Sequence, residues 1–251
     1  MILTVFLMRT IKELLSAMPD LSKRNRLPEW MDQPDIDPAL HLHALQGLAR
    51  LNYFSNSVSL LWKPLRKLAL ANSDDFSVLD VATGSGDIPL ALSQKARQAG
   101  IKINFSVTDK SSFALNLVRE KAQQYNLPIQ CFETDALEGP PFPIHDVVIC
   151  SLFMHHLDND EAINLMKRMA KAARIAILIN DLERSWLNWN MVWIASHLLT
   201  TSPVVHMDGP RSVAGAFNQA EVLDLAKRAG LKGAIIETRW PCRFLLSWNK
   251  S

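Results

Sequence analysis

Two sets of residues in this chain have the types and spacing to do chemistry. The first is a small, glycine-bearing turn flanked by acids, Asp80-Val-Ala82-Thr83-Gly84-Ser85-Gly86-Asp87-Ile-Pro89. Gly84 and Gly86 lack a Cβ, so the backbone can bend sharply and a ligand can approach the main chain. Asp87 is predicted to cap a helix, and Pro89 suits its first turn, where a missing N–H costs nothing. The free N–H groups of that helix would face whatever sits above the preceding strand. A dinucleotide-binding turn requires a third glycine where Pro89 stands, and a pyrophosphate would avoid both acids. Carboxylates at 80 and 87 suit a ligand that carries positive charge.

The second set lies beyond the turn. Asp109 closes a later strand, where its carboxylate can accept hydrogen bonds from both hydroxyls of a ribose. His155 and His156 follow a further strand, and imidazole is the side chain suited to removing a proton near neutral pH. His156 is the preferred base, with His197 and His206 as alternatives. Arg184, Arg211 and Arg243 can hold an acidic substrate group or form surface ion pairs. Arg184, His197 and Arg211 are the expected substrate contacts. His41 and His43 stand two apart on a helical segment and do not share a face. Cys131, Cys150 and Cys242 are widely separated, so no metal ligands are predicted.

These residues need a scaffold, and hydrophobic periodicity supplies one. Segments 76–82, 101–109, 129–133, 146–152 and 174–180 read as strands, with helices predicted over 88–99, from Ser111 and over 160–173. Such alternation predicts an α/β fold with a parallel sheet covered on both faces. Two further strands, 233–239 and 242–248, are joined at Trp240-Pro241 and close the chain as an antiparallel hairpin. Before the sheet, residues 39–70 read as helix, divided or kinked at Pro64. After it, Trp186–Thr200 reads as an apolar helix, with Trp186, Trp189 and Trp193 at core spacing. Residues 201–217 read as irregular, and Asn218 with Glu221 as the capping box of a last helix. The expected organisation is a helical cap over 1–72 and a main domain over 73–251, with a substrate-side insert at 186–217.

Asp80-x-Ala-x-Gly-x-Gly resembles the first motif of the class I S-adenosylmethionine-dependent methyltransferases, Asp/Glu-x-Gly-x-Gly-x-Gly, with Ala82 in place of the first glycine. Cys150-Ser-Leu-Phe-Met-His-His-Leu157 resembles a stretch of the small-molecule members. Asp181-Leu-Glu-Arg-Ser185 and Asp208-Gly-Pro-Arg-Ser212 are similar to a branch acting on small natural products. The resemblance covers about residues 76–248 and implies a Rossmann-like, seven-stranded sheet that binds S-adenosylmethionine. It implies that Asp80, Ala82, Gly84 and Gly86 surround the methionine end of the cofactor, with Asp109 and Lys110 at the ribose. It further implies Asp135 and Ala136 at the adenine and Ser151 along the cofactor, although Thr134-Asp135 reads equally as an Asx turn. The Asn/Asp-Pro-Pro-Tyr tetrad of nucleic-acid amino methyltransferases is missing, which favours a small acceptor over nucleic acid. Pro241-Cys242 resembles the Pro-Cys of cytosine C5 methyltransferases, but it lies in the hairpin and is read as structural.

The expectation is therefore methyl transfer to a small aromatic or lipophilic acceptor, at oxygen because histidine bases are present. Methylation of a quinone-like ring at carbon, and nucleoside binding without catalysis, are the alternatives. A nicotinamide oxidoreductase is opposed by Pro89 and the acids of the turn. A 48% hydrophobic fraction in 251 residues is ample for a core. A net charge of +2 is too mild to indicate a nucleic-acid surface. The apolar Met1–Met8 stretch is too short to span a bilayer and is poorly formed as a signal peptide. Sparse, unpaired cysteines fit a cytoplasmic setting. A homodimer is left open.

Overall fold

A seven-stranded sheet in the order β3-β2-β1-β4-β5-β7-β6 organises the molecule. Its strands are β1 (Ser77–Val81), β2 (Asn104–Asp109), β3 (Ile129–Glu133), β4 (His145–Ser151), β5 (Ala173–Leu182), β6 (Ile235–Arg239) and β7 (Arg243–Asn249). The first five run parallel, and β7 pairs antiparallel with both β5 and β6. The structure, a computed structural model, describes residues 19–33, 35–54, 57–72 and 75–250. The apolar Met1–Met8 stretch and the short helix expected near it lie outside the described residues.

Eight α-helices accompany the sheet among the described residues: α1 (Pro38–Phe54), α2 (Ser57–Leu70), α3 (Asp87–Gln98), α4 (Ser112–Gln124), α5 (Asn159–Ala172), α6 (Trp186–Leu199), α7 (Pro203–Gly215) and α8 (Gln219–Arg228). One face of the sheet packs α2 and α3, through Leu61, Leu65 and Leu92, against Phe76, Val78, Ile149 and Leu178. The other face packs α5 and α8, through Leu165, Met169, Val222 and Leu225, against Leu79, Val148, Ile177 and Leu246. Each fully buried aliphatic side chain contributes about 1.5–3 kcal/mol. That double layer holds the strand ends, and hence the site, in fixed register. Capping boxes start α5 at Asp158/Glu161 and α8 at Asn218/Glu221, while Ser111 accepts from Ala114 N to start α4.

The structure corrects the sequence reading in several places. Pro64 does not divide the helical stretch before the sheet, since it sits inside α2. That helix belongs to the sheet, whereas α1 packs on α7 through Ala44, Val204 and Val205. The segment expected as one cap is thus shared between scaffold and cover. Gly47 allows the close approach of α1, because a Cβ there would lie 2.6 Å from Thr200 Oγ1. Residues 203–215, expected to be irregular, are helix. Ser202 accepts from Val205 N and Pro203 takes the first turn, a start signal that Gly209 and Pro210 masked. Gly86, with φ of 73°, caps α3 in place of Asp87. On α4, Leu115, Val118 and Ala122 form the buried face. Of the α6 tryptophans, Trp189 packs against the buried Leu182, Val213 and Ala216, while Trp186 and Trp193 are exposed by 43% and 45%.

Candidate active site

A cavity of about 1170 Å³ opens above the carboxyl ends of β1, β2, β3, β4 and β5. It lies where strand order reverses between β1 and β4, the place at which open α/β sheets bind ligands. Its volume exceeds the range of about 300–1,000 Å³ usual for one small ligand, so it has room for two.

The turn after β1 forms one wall. Ala82, Gly84 and Gly86 adopt positive φ of 55°, 56° and 73°. A Cβ on Gly86 would come within 2.6 Å of Val118 on α4, while one on Gly84 would meet no protein atom within 4 Å. Gly86 is therefore required by packing, and Gly84 leaves space at the cavity surface. Gly84 N donates to Asp109 Oδ2 at 2.8 Å, and Ser111 N donates to Asp109 Oδ1 at 2.9 Å. These bonds fix the Asp109 carboxylate at the rim, beside Lys110.

Asp80 is not on the cavity wall. It lies buried beneath the turn, where its Oδ2 accepts from Thr83 Oγ1 at 2.6 Å. Burial raises its pKa from 3.8 to about 7, partly offset by the Thr83 hydrogen bond. Thr83, which the sequence reading passed over, is the residue that meets the cavity. Asp135 and Ala136 line the cavity beyond β3. Asp135 Oδ1 accepts from the N–H groups of Leu137 and Glu138, so the Asx turn is real and leaves the carboxylate beside the cavity. Ser151 lines it at the end of β4.

The second wall carries the histidines. A 3-10 turn, Met154–His156, follows β4. His155 Nδ1 lies 2.7 Å from Asp181 Oδ1, and His155 N donates to Asp181 Oδ2 at 3.3 Å. Burial pushes the Asp181 carboxyl up, but the charge and hydrogen bond of His155 more than offset this and hold it below the ordinary range. An ionised carboxylate only accepts, so Nδ1 carries the proton and Nε2 is the basic nitrogen. Nε2 faces Glu29 Oε1 at 3.8 Å. Ligand atoms of Glu29, His155 and His156 lie within 4.8 Å of one another, a grouping the sequence reading did not anticipate. The expected preference for His156 shifts to His155, which is the one oriented by Asp181. Adjacency of β4 and β5, whose ends pair as Ser151↔Asn180, is the signal that could have joined the two residues.

The cover is made by α1, α6, α7 and the stretch 24–33, in which Trp30–Asp32 forms a 3-10 turn. Arg24 donates to His155 O at 2.9 Å and to Gly215 O, and lies 3.6 Å over the Phe217 ring. Arg26 donates to His156 O. Asp208 accepts from Trp30 N and Met31 N at 2.9 and 3.0 Å. Three residues expected at the substrate do not line the cavity. Arg184 is buried against Leu21 O, Ala216 O and both oxygens of Glu221. Arg211 donates to Pro28 O and faces Asp208. His197 stacks on His206, with ring centroids 4.1 Å apart, outside the cavity. On this side the cavity is lined instead by Leu152, Leu182, Asn188, Met191, Val192 and Arg243.

Residues 78–175, which supply this whole cofactor-side wall, match a family described as a methyltransferase domain. Over that stretch the chain is similar to a methyltransferase domain. Over 86 residues it is 36% identical to the ubiquinone/menaquinone biosynthesis C-methyltransferase UbiE of Rickettsia bellii (strain OSU 85-389), covering 33% of this chain and 34% of that protein. The match thus spans about a third of the length of that curated relative. The S-adenosylmethionine-dependent methyltransferase SibL in its apo form superposes with a TM-score of 0.65 at 15% identity, covering 96% of this chain and 68% of that one. Magnesium protoporphyrin IX methyltransferase (ChlM) from Synechocystis PCC 6803 with bound SAH gives 0.54 at 15% identity, over 88% and 91%. Methyltransferase domain and cover meet at the cavity, and the fold carries both.

Proposed function

We propose that this protein transfers the methyl group of S-adenosylmethionine to an oxygen atom of a small, largely apolar acceptor. The donor fits the wall described above. Asp109 stands where a ribose diol would bind, Asp135 where an exocyclic amine would, and the open space over Gly84 admits a ligand against the backbone. The cofactor supplies an electrophilic methyl group, and the chain supplies position and a base. Bringing acceptor and donor together in line provides much of the rate.

The observation that carries the reading is the Asp181–His155 pair. Its basic nitrogen faces the cavity from the end of β4, beside the cofactor wall. A hydroxyl held near Nε2 loses its proton to His155 as its oxygen attacks the methyl carbon, and Asp181 stabilises the imidazolium that forms. Leu152, Leu182, Met191 and Val192 exclude water from the acceptor. Carbon methylation of a quinol-like ring is the second reading, favoured by the identity to UbiE. It needs the same deprotonation, with the electrons delivered from a ring carbon.

Calorimetric titration with S-adenosylmethionine and S-adenosylhomocysteine, with NADH as control, tests the cofactor. Binding of both sulfur nucleosides that is lost in Asp109→Ala supports the proposal, and preference for NADH overturns it. Incubation with methyl-labelled donor and a panel of phenols and quinols then separates the acceptor atoms. A methoxy carbon resonance in the product supports oxygen transfer, and a ring-methyl resonance assigns carbon.

A further inference from the structure

Arg243 opens β7 at the floor of the acceptor chamber. It is only 5% exposed, yet its Nε and Nη1 atoms have no hydrogen-bond partner. A buried guanidinium normally has its donors satisfied, because desolvating them unpaired costs several kcal/mol. Arg184 shows the ordinary solution in this same protein, with two carbonyls and a bidentate carboxylate around its head. Only the fields of Asp181 and Cys242 favour the charge of Arg243, and Asp181 already accepts from His155 and Leu182.

The surroundings of Arg243 point to a ligand. It pairs with Leu182 across β5, one residue beyond Asp181, and it lines the cavity with Leu182, Met191 and Pro241. The field of Asp181 thus reaches the guanidinium as well as the imidazole of His155. An acceptor that spans the chamber would present one end to each. The planar fork of arginine matches a carboxylate in two parallel hydrogen bonds, which fix orientation as well as supplying affinity.

We infer that Arg243 anchors an anionic acceptor: a small aromatic acid whose carboxylate pairs with the guanidinium while its hydroxyl meets His155. Leu152, Met191 and Val192 take the ring between these ends. The inference rests on the methyl-transfer reading for the role of His155, but not for the carboxylate site itself. Such an arrangement leaves the ligand-free protein with an unsatisfied charge, a stability cost typical of binding sites.

Protein loaded with S-adenosylhomocysteine is titrated with salicylate, 4-hydroxybenzoate and 1-hydroxy-2-naphthoate, and with their methyl esters. At least one acid is expected to bind 30-fold or more tightly than its ester. Arg243→Met should abolish that preference while changing S-adenosylhomocysteine affinity less than twofold, and Arg243→Lys should retain part of it. The ligand-free Arg243→Met protein should melt at the wild-type temperature or above it. Equal binding of acid and ester, no acid binding in the panel, or unchanged acid affinity in Arg243→Met would each overturn the inference. A drop of several degrees in melting temperature without loss of acid preference would make Arg243 a structural residue. Acid binding without any S-adenosylhomocysteine binding would sink the methyl-transfer reading and leave the carboxylate site standing.

Discussion

His155 is held by one carboxylate and faces another, and its chemistry follows from that asymmetry. Asp181, at 2.7 Å, sets the tautomer, and Asp181→Asn removes the charge that stabilises the imidazolium. Loss of general-base catalysis lowers turnover by about 10²–10⁴-fold, and both Asp181→Asn and His155→Gln are expected in that range with cofactor affinity intact. Stopped-time assays with labelled donor measure it. If a chelator instead abolishes wild-type activity and a divalent ion restores it, the Glu29–His155–His156 grouping holds a cation and the imidazole is a ligand. Asp80 gives a second prediction at this scale. With its pKa raised from 3.8 to about 7, the folded protein keeps a proton that the unfolded chain has lost. Its contribution to stability is full below about pH 4 and disappears as pH rises through about 7. Urea denaturation of ligand-free protein should therefore show Asp80→Asn gaining on wild type between pH 5.5 and 8. A constant difference across that interval would contradict the raised pKa.

At the scale of elements, the arginines were the least legible part of the sequence. Composition cannot say whether a guanidinium faces a cavity or a carbonyl, and Arg184 faces carbonyls. Its side chain joins the loop after β5 to α8 and to Leu21. Arg184→Gln removes one partner of a largely buried pair and should cost about 3 kcal/mol, read as a lowered urea midpoint. Residual folded protein should keep its affinity for acceptor, which a substrate-binding arginine would not. The glycine turn, the strand ends and the hairpin were readable because backbone chemistry at those points has few solutions. Gly86 must be glycine at φ 73° against Val118, and period-two apolar runs between helices leave a parallel sheet. Helix α7 was not readable, because burial of Val204, Val205 and Val213 overrides the breaking tendency of Gly209 and Pro210. The α6 tryptophans misled in the opposite direction. Their spacing is helical, but of the three Trp189 packs on a buried cluster, while Trp186 and Trp193 are exposed.

Across the whole molecule, cofactor wall and acceptor wall come from different parts of the chain. Residues 78–175 match a family pattern, and of the acids singled out there Asp109 and Asp135 line the cavity while Asp80 lies beneath the turn. The acceptor wall depends on contacts between residues far apart, such as Glu29 with Ser212, which no local motif announces. Asp208 ties the stretch before α1 to α7 through two backbone N–H groups. Asp208→Ala leaves both partly buried donors without this partner, at about 1 kcal/mol each. It should raise KM for the acceptor at least tenfold with little change in cofactor affinity. Hydrogen exchange at Trp30 and Met31 should quicken in the same variant.

Arg24 and Arg26 reach from the start of the described chain to the carbonyls of Gly215, His155 and His156. Three stretches that no single exon-sized block contains thus share one set of hydrogen bonds. A chimera that imports the α6–α7 region from a related protein brings a foreign partner for Arg24 and disturbs the catalytic turn at the same moment. New acceptor preferences cannot be shuffled into this scaffold as a cassette. On the proposed reading they are expected from single replacements along Leu152, Met191, Val192 and Arg243, which change the cavity lining and leave the arginine contacts in place.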